Sequence, residues 1–229
     1  RRLIRDDIRP KLHASQSGLR TAHRLLRECG VSRPFLALNP FSKDRAKHWP
    51  IEKWAGLIES LENADVVLCG GERDRAAAAL LLRLIRPARS RRVVSLCGQL
   101  SLDAFAALLS RAVLNVSVDS AALHMATAVR TPSVVLMGGA QPGRFAPYSA
   151  LQHLVRHKLP CGGCDYRCRF ATPRCLDGIE VEKVRRVILK LMPRIMATNG
   201  QADRFNEWYL LGSLLEGIEE DDRAAACFQ

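Results

Sequence analysis

Aromatic residues make up only 6% of this 229-residue chain, and none are interleaved with its basic stretches. Surfaces that grip single-stranded nucleic acid stack bases on such rings, so that class of binder is disfavoured. No apolar run comes near the roughly 20 residues needed to span a bilayer. The opening RRLIRDDIRP has neither an initiating Met nor the apolar stretch of a signal peptide. A cytoplasmic location is therefore expected, and so is a longer parent chain. None of the glycine clusters spells G-x-G-x-x-G or a Walker A loop, which disfavours a nicotinamide enzyme and a P-loop NTPase. Acidic residues are in deficit, 23 against 35 Lys plus Arg, for a formal charge of +12. That balance favours anionic partners such as nucleotides, phosphorylated glycans, nucleic acid or a membrane surface, and charge alone does not choose among them. Most of the arginines fall at helix-face spacing and read as solvated surface.

What is present is an α/β pattern. With 48% hydrophobic residues the chain can bury a substantial core. The segment SGLRTAHRLLRECG reads as an amphipathic helix closed by Gly30. The runs PFLALNP, ADVVLCGG, RRVVSLCG, VLNVSVD and TPSVVLMGG then read as strands, separated by helical stretches with short connections. Such alternation predicts a doubly wound, Rossmann-like parallel sheet. Three parts are expected: an interdomain segment with a connecting helix over 1–32, the α/β domain over 33–193 with a cysteine-rich loop at 158–178, and an all-α tail over 194–229. In that tail Trp208, Leu211, Gly212, Ala224 and Phe228 follow the tetratricopeptide pattern of large and small residues, with an ordinary helical hairpin as the alternative.

Ligands of doubly wound sheets bind beyond the carboxyl ends of the strands, and the unusual residues gather there. Asp119 ends a strand and Ser120 opens a helix, so the backbone N–H groups of Ala121, Ala122 and Leu123 should face an anion, with His124 one turn on. The loop NPFSKDRAKHWP offers the hydroxyl of Ser42 and the ammonium groups of Lys43 and Lys47, a set suited to a diphosphate. Glu72, beyond the Gly70–Gly71 turn, could accept hydrogen bonds from ribose hydroxyls, with Asp74 as a competitor, and Leu100 could form an apolar shelf for a base. Taken singly, each reads equally well as a helix cap, a surface charge or core packing.

Four of the eight cysteines, Cys161, Cys164, Cys168 and Cys175, fall within CGGCDYRCRFATPRC. In a reducing compartment clustered thiolates preferentially hold a soft metal, and a closed four-thiolate shell is structural. Zinc and iron both suit the spacing; disulfides and unligated thiols are the alternatives. A redox C-x-x-C would open a helix after the first strand of a thioredoxin-like unit, and this one does not.

Over residues 33–192 the order of KHWP, CGGE, GQLSL, VSVDSAALHMA, TPSVVLMGG and the cysteine segment resembles the glycosyltransferase family 9 heptosyltransferases. The resemblance implies the carboxyl-terminal half of a two-domain GT-B enzyme, the half that binds an ADP-heptose donor. It implies that Lys47 and Ser42 hold the donor phosphates, that Glu72 meets the ribose and Leu100 the adenine, that Asp119 binds sugar hydroxyls, and that His124 and the preceding backbone hold the diphosphate. It further implies an inverting transfer without a catalytic metal, to a lipopolysaccharide-core or protein acceptor, with the base and acceptor site in the amino-terminal half of the parent enzyme. This chain alone is then expected to be inactive in transfer. Family members that modify autotransporter proteins carry a similar cysteine cluster associated with iron. A second copy of the chain and the inner membrane are further candidate contacts, and no specific nucleic acid is expected. Two positions depart from the family: Ala121 stands where Gly is usual, and GGA at 138–140 stands where GPT is usual. The competing reading is a non-catalytic module in which the metal loop and repeat recruit partners on a degenerate scaffold.

Overall fold

The computed structural model describes residues 10–31, 34–61, 64–87, 91–140 and 151–198. The tetratricopeptide-like pattern lies outside them. Helix α1 (Gln16–Glu28) is followed by strand β1 (Phe35–Asn39), helix α2 (Ile51–Ser60), β2 (Asp65–Leu68), α3 (Arg75–Leu84), β3 (Val93–Ser95) and α4 (Leu102–Arg111). Then come β4 (Leu114–Val118), α5 (Ala121–Ala128), β5 (Ser133–Leu136), β6 (Gln152–Val155), the short helix α6 (Arg174–Asp177) and the long helix α7 (Val181–Thr198). The strands form one sheet in the order β3-β2-β1-β4-β5-β6, every pairing parallel. The expected Rossmann-like sheet is therefore present, with one strand more than the sequence pattern showed. Strand β6 had escaped because Gln152 and His153 interrupt its apolar run; both are buried in the fold.

Alternate residues of each strand point to opposite faces, and here each face has its own core. Leu36, Leu38, Val66 and Leu68 join Trp54, Leu57 and Ile58 of α2 and Val184, Val187 and Ile188 of α7. Ala37 and Val67, one residue out of phase, join Ala22, Leu25 and Leu26 of α1 and Leu108 and Leu109 of α4. Burial on both faces explains why the strands read as continuous apolar runs. The start of α1 is bolted to α4. Ser15 accepts from the Gly18 N–H at 3.0 Å and its own N–H donates to Asp103 at 2.9 Å, while a Cβ on Gly18 would come within 2.5 Å of the Asp103 carboxylate. At its other end α1 closes on Gly30, whose φ of 69° suits glycine. Ser101 caps α4 as its sequence implied, accepting from the Ala104 N–H at 3.1 Å.

The chain reverses its winding direction between β1 and β4, neighbours in the sheet. Loops leaving those two strands diverge to opposite faces and open a crevice at their carboxyl ends, the place where such sheets bind ligands. Among the described residues no helix is long and apolar enough to cross a membrane.

Candidate functional site

The loop after β1 is built to aim one lysine. Asp44 accepts from the Ala46 N–H at 2.9 Å and so caps a single 3-10 turn over Arg45–Lys47. The Ser42 hydroxyl accepts from the Asp44 N–H at 3.2 Å, and His48 Nε2 donates to the Ser42 carbonyl at 2.8 Å. Trp49, buried at the next position, packs edge-on against Trp54 with centroids 5.0 Å apart and donates from Nε1 to the Ile179 carbonyl at 3.1 Å. Lys53 adds bonds to the carbonyls of Asp177 and Ile179. A capped turn on one side and an anchored indole on the other thus fix the backbone of Lys47.

That lysine meets the end of β4. Lys47 Nζ donates to Asp119 Oδ2 at 3.0 Å, with the lysine side chain 19% and the aspartate 3% exposed. The same Oδ2 accepts from the Tyr166 hydroxyl at 2.6 Å, and the Lys47 ammonium lies 4.3 Å from the centre of the Tyr166 ring. Burial, then the Asp119 charge and the bond to it, push the Tyr166 phenol far above its usual range, so it stays protonated and acts as a donor. Asp165 and Tyr166 are both left-handed, with φ of 50° and 64°. For residues with side chains that conformation costs roughly 1–2 kcal/mol each. Lys47 and Asp119, which the sequence pattern assigned to separate tasks, are thus one bonded group. Tyr166 was missed: nothing in CDYRC connects it with a carboxylate 47 positions earlier. The one available signal was general, that a buried phenol needs a partner.

Beyond Asp119, Ser120 takes the N-cap position of α5 in extended conformation, and its side chain makes no capping bond. Ala121 and His124 are exposed while Ala122 and Leu123 are buried; the Leu123 N–H, expected to face an anion, is instead donated to the Ser120 carbonyl at 3.1 Å, so the helix terminus offers the N–H groups of Ala121 and Ala122. Ala121 in place of Gly therefore points its methyl outward, away from the packed side of α5. Lys43 is exposed, and Ser42 is half-buried.

Glu72 and Leu100 lie on the β2–β3 side of the same edge, apart from the Lys47, Asp119 and Tyr166 group. Asp74 is committed to the turn, accepting from the Gly71 N–H at 2.8 Å. Glu72 is exposed, bonded to Arg75 at 2.8 Å, and lies against Gly98. A Cβ on Gly98, whose φ is 74°, would fall 2.3 Å from Glu72 Oε2. Leu100 is half-buried and packs against the α1 and α4 core.

Cys161, Cys164, Cys168 and Cys175 are free and half-buried. A Cβ on Gly139 would meet the Cys164 sulfur at 2.4 Å, and one on Gly138 the Cys175 sulfur at 3.1 Å. Gly139, which stands where the family has Pro, thus has a physical reason, since only bare backbone leaves room there for the Cys164 thiol. Burial pushes the Cys175 thiol up, and Cys164 and Cys168 add to it. The donor chemistry fits a soft metal, and Cys164 and Cys175 lie at the end of β5. Among the described residues, however, no three His, Cys, Asp or Glu side chains are gathered into a metal-holding group.

A family model described as glycosyltransferase family 9 (heptosyltransferase) matches residues 4–171. Lipopolysaccharide heptosyltransferase 3 of Escherichia coli is 29% identical over 128 residues, 55% of this chain and 37% of that protein. The aligned stretch thus spans little more than a third of that relative's length. Among solved structures, the Escherichia coli ADP-heptose lipopolysaccharide heptosyltransferase II superposes with a TM-score of 0.66 at 23% identity, covering 81% of this chain and 54% of that one. A family 9 glycosyltransferase from Veillonella parvula superposes with a TM-score of 0.71 at 19% identity, covering 80% and 53%. These likenesses establish the fold.

Proposed function

Because the chain belongs to glycosyltransferase family 9 (heptosyltransferase), we propose that it holds an ADP-heptose or related ADP-sugar donor at the carboxyl edge of its sheet, for transfer to a lipopolysaccharide-core or protein acceptor. The observation that carries this reading is the cation and carboxylate set at the switch point, Lys47 on Asp119 at 3.0 Å, beside the N-terminus of α5. A diphosphate needs positive groups on one side and a sugar needs hydrogen-bond acceptors on the other. Lys47, His124 and the first-turn N–H groups of α5 supply the former, and Asp119 supplies the latter. Ser42 and Lys43 border the phosphates, Glu72 faces the ribose, and Leu100 lies under the adenine.

In the proposed inverting transfer, an acceptor hydroxyl oxygen attacks the anomeric carbon as the bond from that carbon to the diphosphate oxygen breaks. The hydroxyl proton passes to a carboxylate of the amino-terminal half of the fold, and ADP departs with both electrons of the broken bond. Here Lys47, His124 and the α5 N–H groups stabilise charge that grows on the leaving oxygen, which is where preorganised donors contribute most. The direct test is calorimetry with ADP and ADP-heptose, followed by transfer assays with acceptor, with and without a supplied amino-terminal half. Binding of both ligands, with turnover only when that half is present, is the expected outcome. A chain that binds neither is instead the scaffold of a non-catalytic module.

Cys161, Cys164, Cys168 and Cys175 are further proposed to hold one structural iron or zinc ion, which would cross-link the loop when bound. Elemental analysis of protein purified under reducing conditions should find about one equivalent of metal per chain, a ratio set by a single four-thiolate shell. A metal-free chain whose Cys161→Ser variant melts at the wild-type temperature rules the site out.

A further inference from the structure

Tyr166 belongs to the cysteine-bearing loop, yet its hydroxyl ends on the buried carboxylate of Asp119, at the end of β4. Several independent constraints hold it there. It packs against the cluster of Leu123, Val135, Met137, Ala140 and Leu154. The Lys47 ammonium rests over its ring. The preceding residue donates its N–H to the Gly139 carbonyl at 3.2 Å. The backbone at 165 and 166 keeps a left-handed conformation that is sterically unfavourable for both residues. Unfavourable backbone held in place by its surroundings is a mark of a position whose geometry has a task.

The task is visible in the bonds. A carboxylate held by a lysine alone can turn about its last torsion, because the ammonium follows on a flexible stem. With phenol and ammonium both on Oδ2 that torsion is fixed, and among the described residues these bonds leave Oδ1 available to a ligand. The ring in turn restricts where the Lys47 ammonium can go. We propose that Tyr166 is a positioning residue of the donor site, orienting Asp119 for the sugar and steadying Lys47 for the diphosphate, so that the cysteine-bearing loop is a working wall of that site. This rests on the donor reading above and adds to it a residue and a loop.

The experiment is calorimetry of the chain with ADP and with ADP-heptose, for wild type, Tyr166→Phe and Tyr166→Ala, alongside thermal melts. Tyr166→Phe keeps the ring and loses the bond, so ADP-heptose affinity should fall about tenfold, the scale of one hydrogen bond to a charged group, while ADP affinity stays within about twofold of wild type, the bond's loss leaving the ring contact intact. Tyr166→Ala also removes the ring beneath Lys47, so ADP affinity should fall as well, by about fivefold. Should the alanine variant fail to fold, Tyr166→Leu serves the same arm. A purely structural tyrosine would lower the melting temperature and leave the ratio of the two affinities unchanged. Wild-type binding of both ligands with an unchanged ratio in Tyr166→Phe overturns this proposal alone. A wild-type chain that binds neither ligand overturns the donor reading, and this proposal with it.

Discussion

Replacing Asp119 by alanine is expected to lower ADP-heptose affinity by roughly tenfold to a hundredfold while changing ADP affinity by no more than about threefold. Asp119 is 3% exposed and receives both a phenol and an ammonium on one oxygen. Removing it takes away the acceptor proposed for the sugar hydroxyls, and losing a hydrogen bond to a charged group costs about 1.5–3 kcal/mol. It also leaves the Tyr166 hydroxyl without this partner, which is where truncation of a buried pair does its damage. Lys47 is better placed to adapt, being 19% exposed, and its backbone is held by the Asp44 cap and by Trp49 rather than by Asp119. ADP therefore keeps its cation. Lys47→Ala reverses the pattern, weakening ADP and ADP-heptose together because both carry the diphosphate. Isothermal titration of the two variants separates these roles; equal losses for both ligands in both variants would contradict them. Asp119→Asn sharpens the measurement, since it keeps the shape and one acceptor while removing the charge.

The largest loss of stability is expected from Trp49→Ala. The side chain is 3% exposed, stands edge-on to Trp54, and bonds through Nε1 to the Ile179 carbonyl. Truncating a buried aromatic of this kind costs roughly 3–5 kcal/mol, which in a domain of this size lowers the melting temperature by about 10 °C. The effect should also reach binding, because Lys47 lies two residues before Trp49 and loses one of its two backbone anchors. Trp49→Phe keeps most of the packed area and gives up the hydrogen bond, so it should recover most of the stability. Denaturant or thermal unfolding measures both. Alanine and phenylalanine variants both as stable as wild type would mean that neither packing nor the bond to Ile179 holds the loop.

Much of this was legible in the residues. The alternation of apolar runs with amphipathic stretches was enough for a parallel sheet, because strands buried on both faces leave no polar register to disguise them. The glycines at 70–71, 98 and 138–139 marked strand ends, and Asp119 followed by Ser120 marked a strand passing into a helix. Strand β6 was not legible, since Gln152 and His153 break its apolar pattern and are buried through neighbours distant in sequence. The pattern also left Glu72 and Asp74 as competitors; the structure adds that Asp74 accepts from the Gly71 N–H while Glu72 pairs with Arg75.

Local chemistry therefore determined which residue types stand at the ligand edge: hydroxyl, ammonium, carboxylate and helix N–H, in the order the family motifs carry them. That information is short-range, written in propensities, turns and caps a few residues long. Only the tertiary structure decided which of those groups touch. Lys47, Asp119 and Tyr166 come from three loops separated by 72 and 47 positions. They meet because the parallel order β1-β4-β5-β6 sends the loops after β1, β4 and β6 out at one edge, and because the loop after β6 reaches back over the end of β5, its thiols seated against bare glycine backbone at 138 and 139. No local pattern encodes such a meeting, since its free energy comes from burying and bonding groups that only the folded sheet brings within reach.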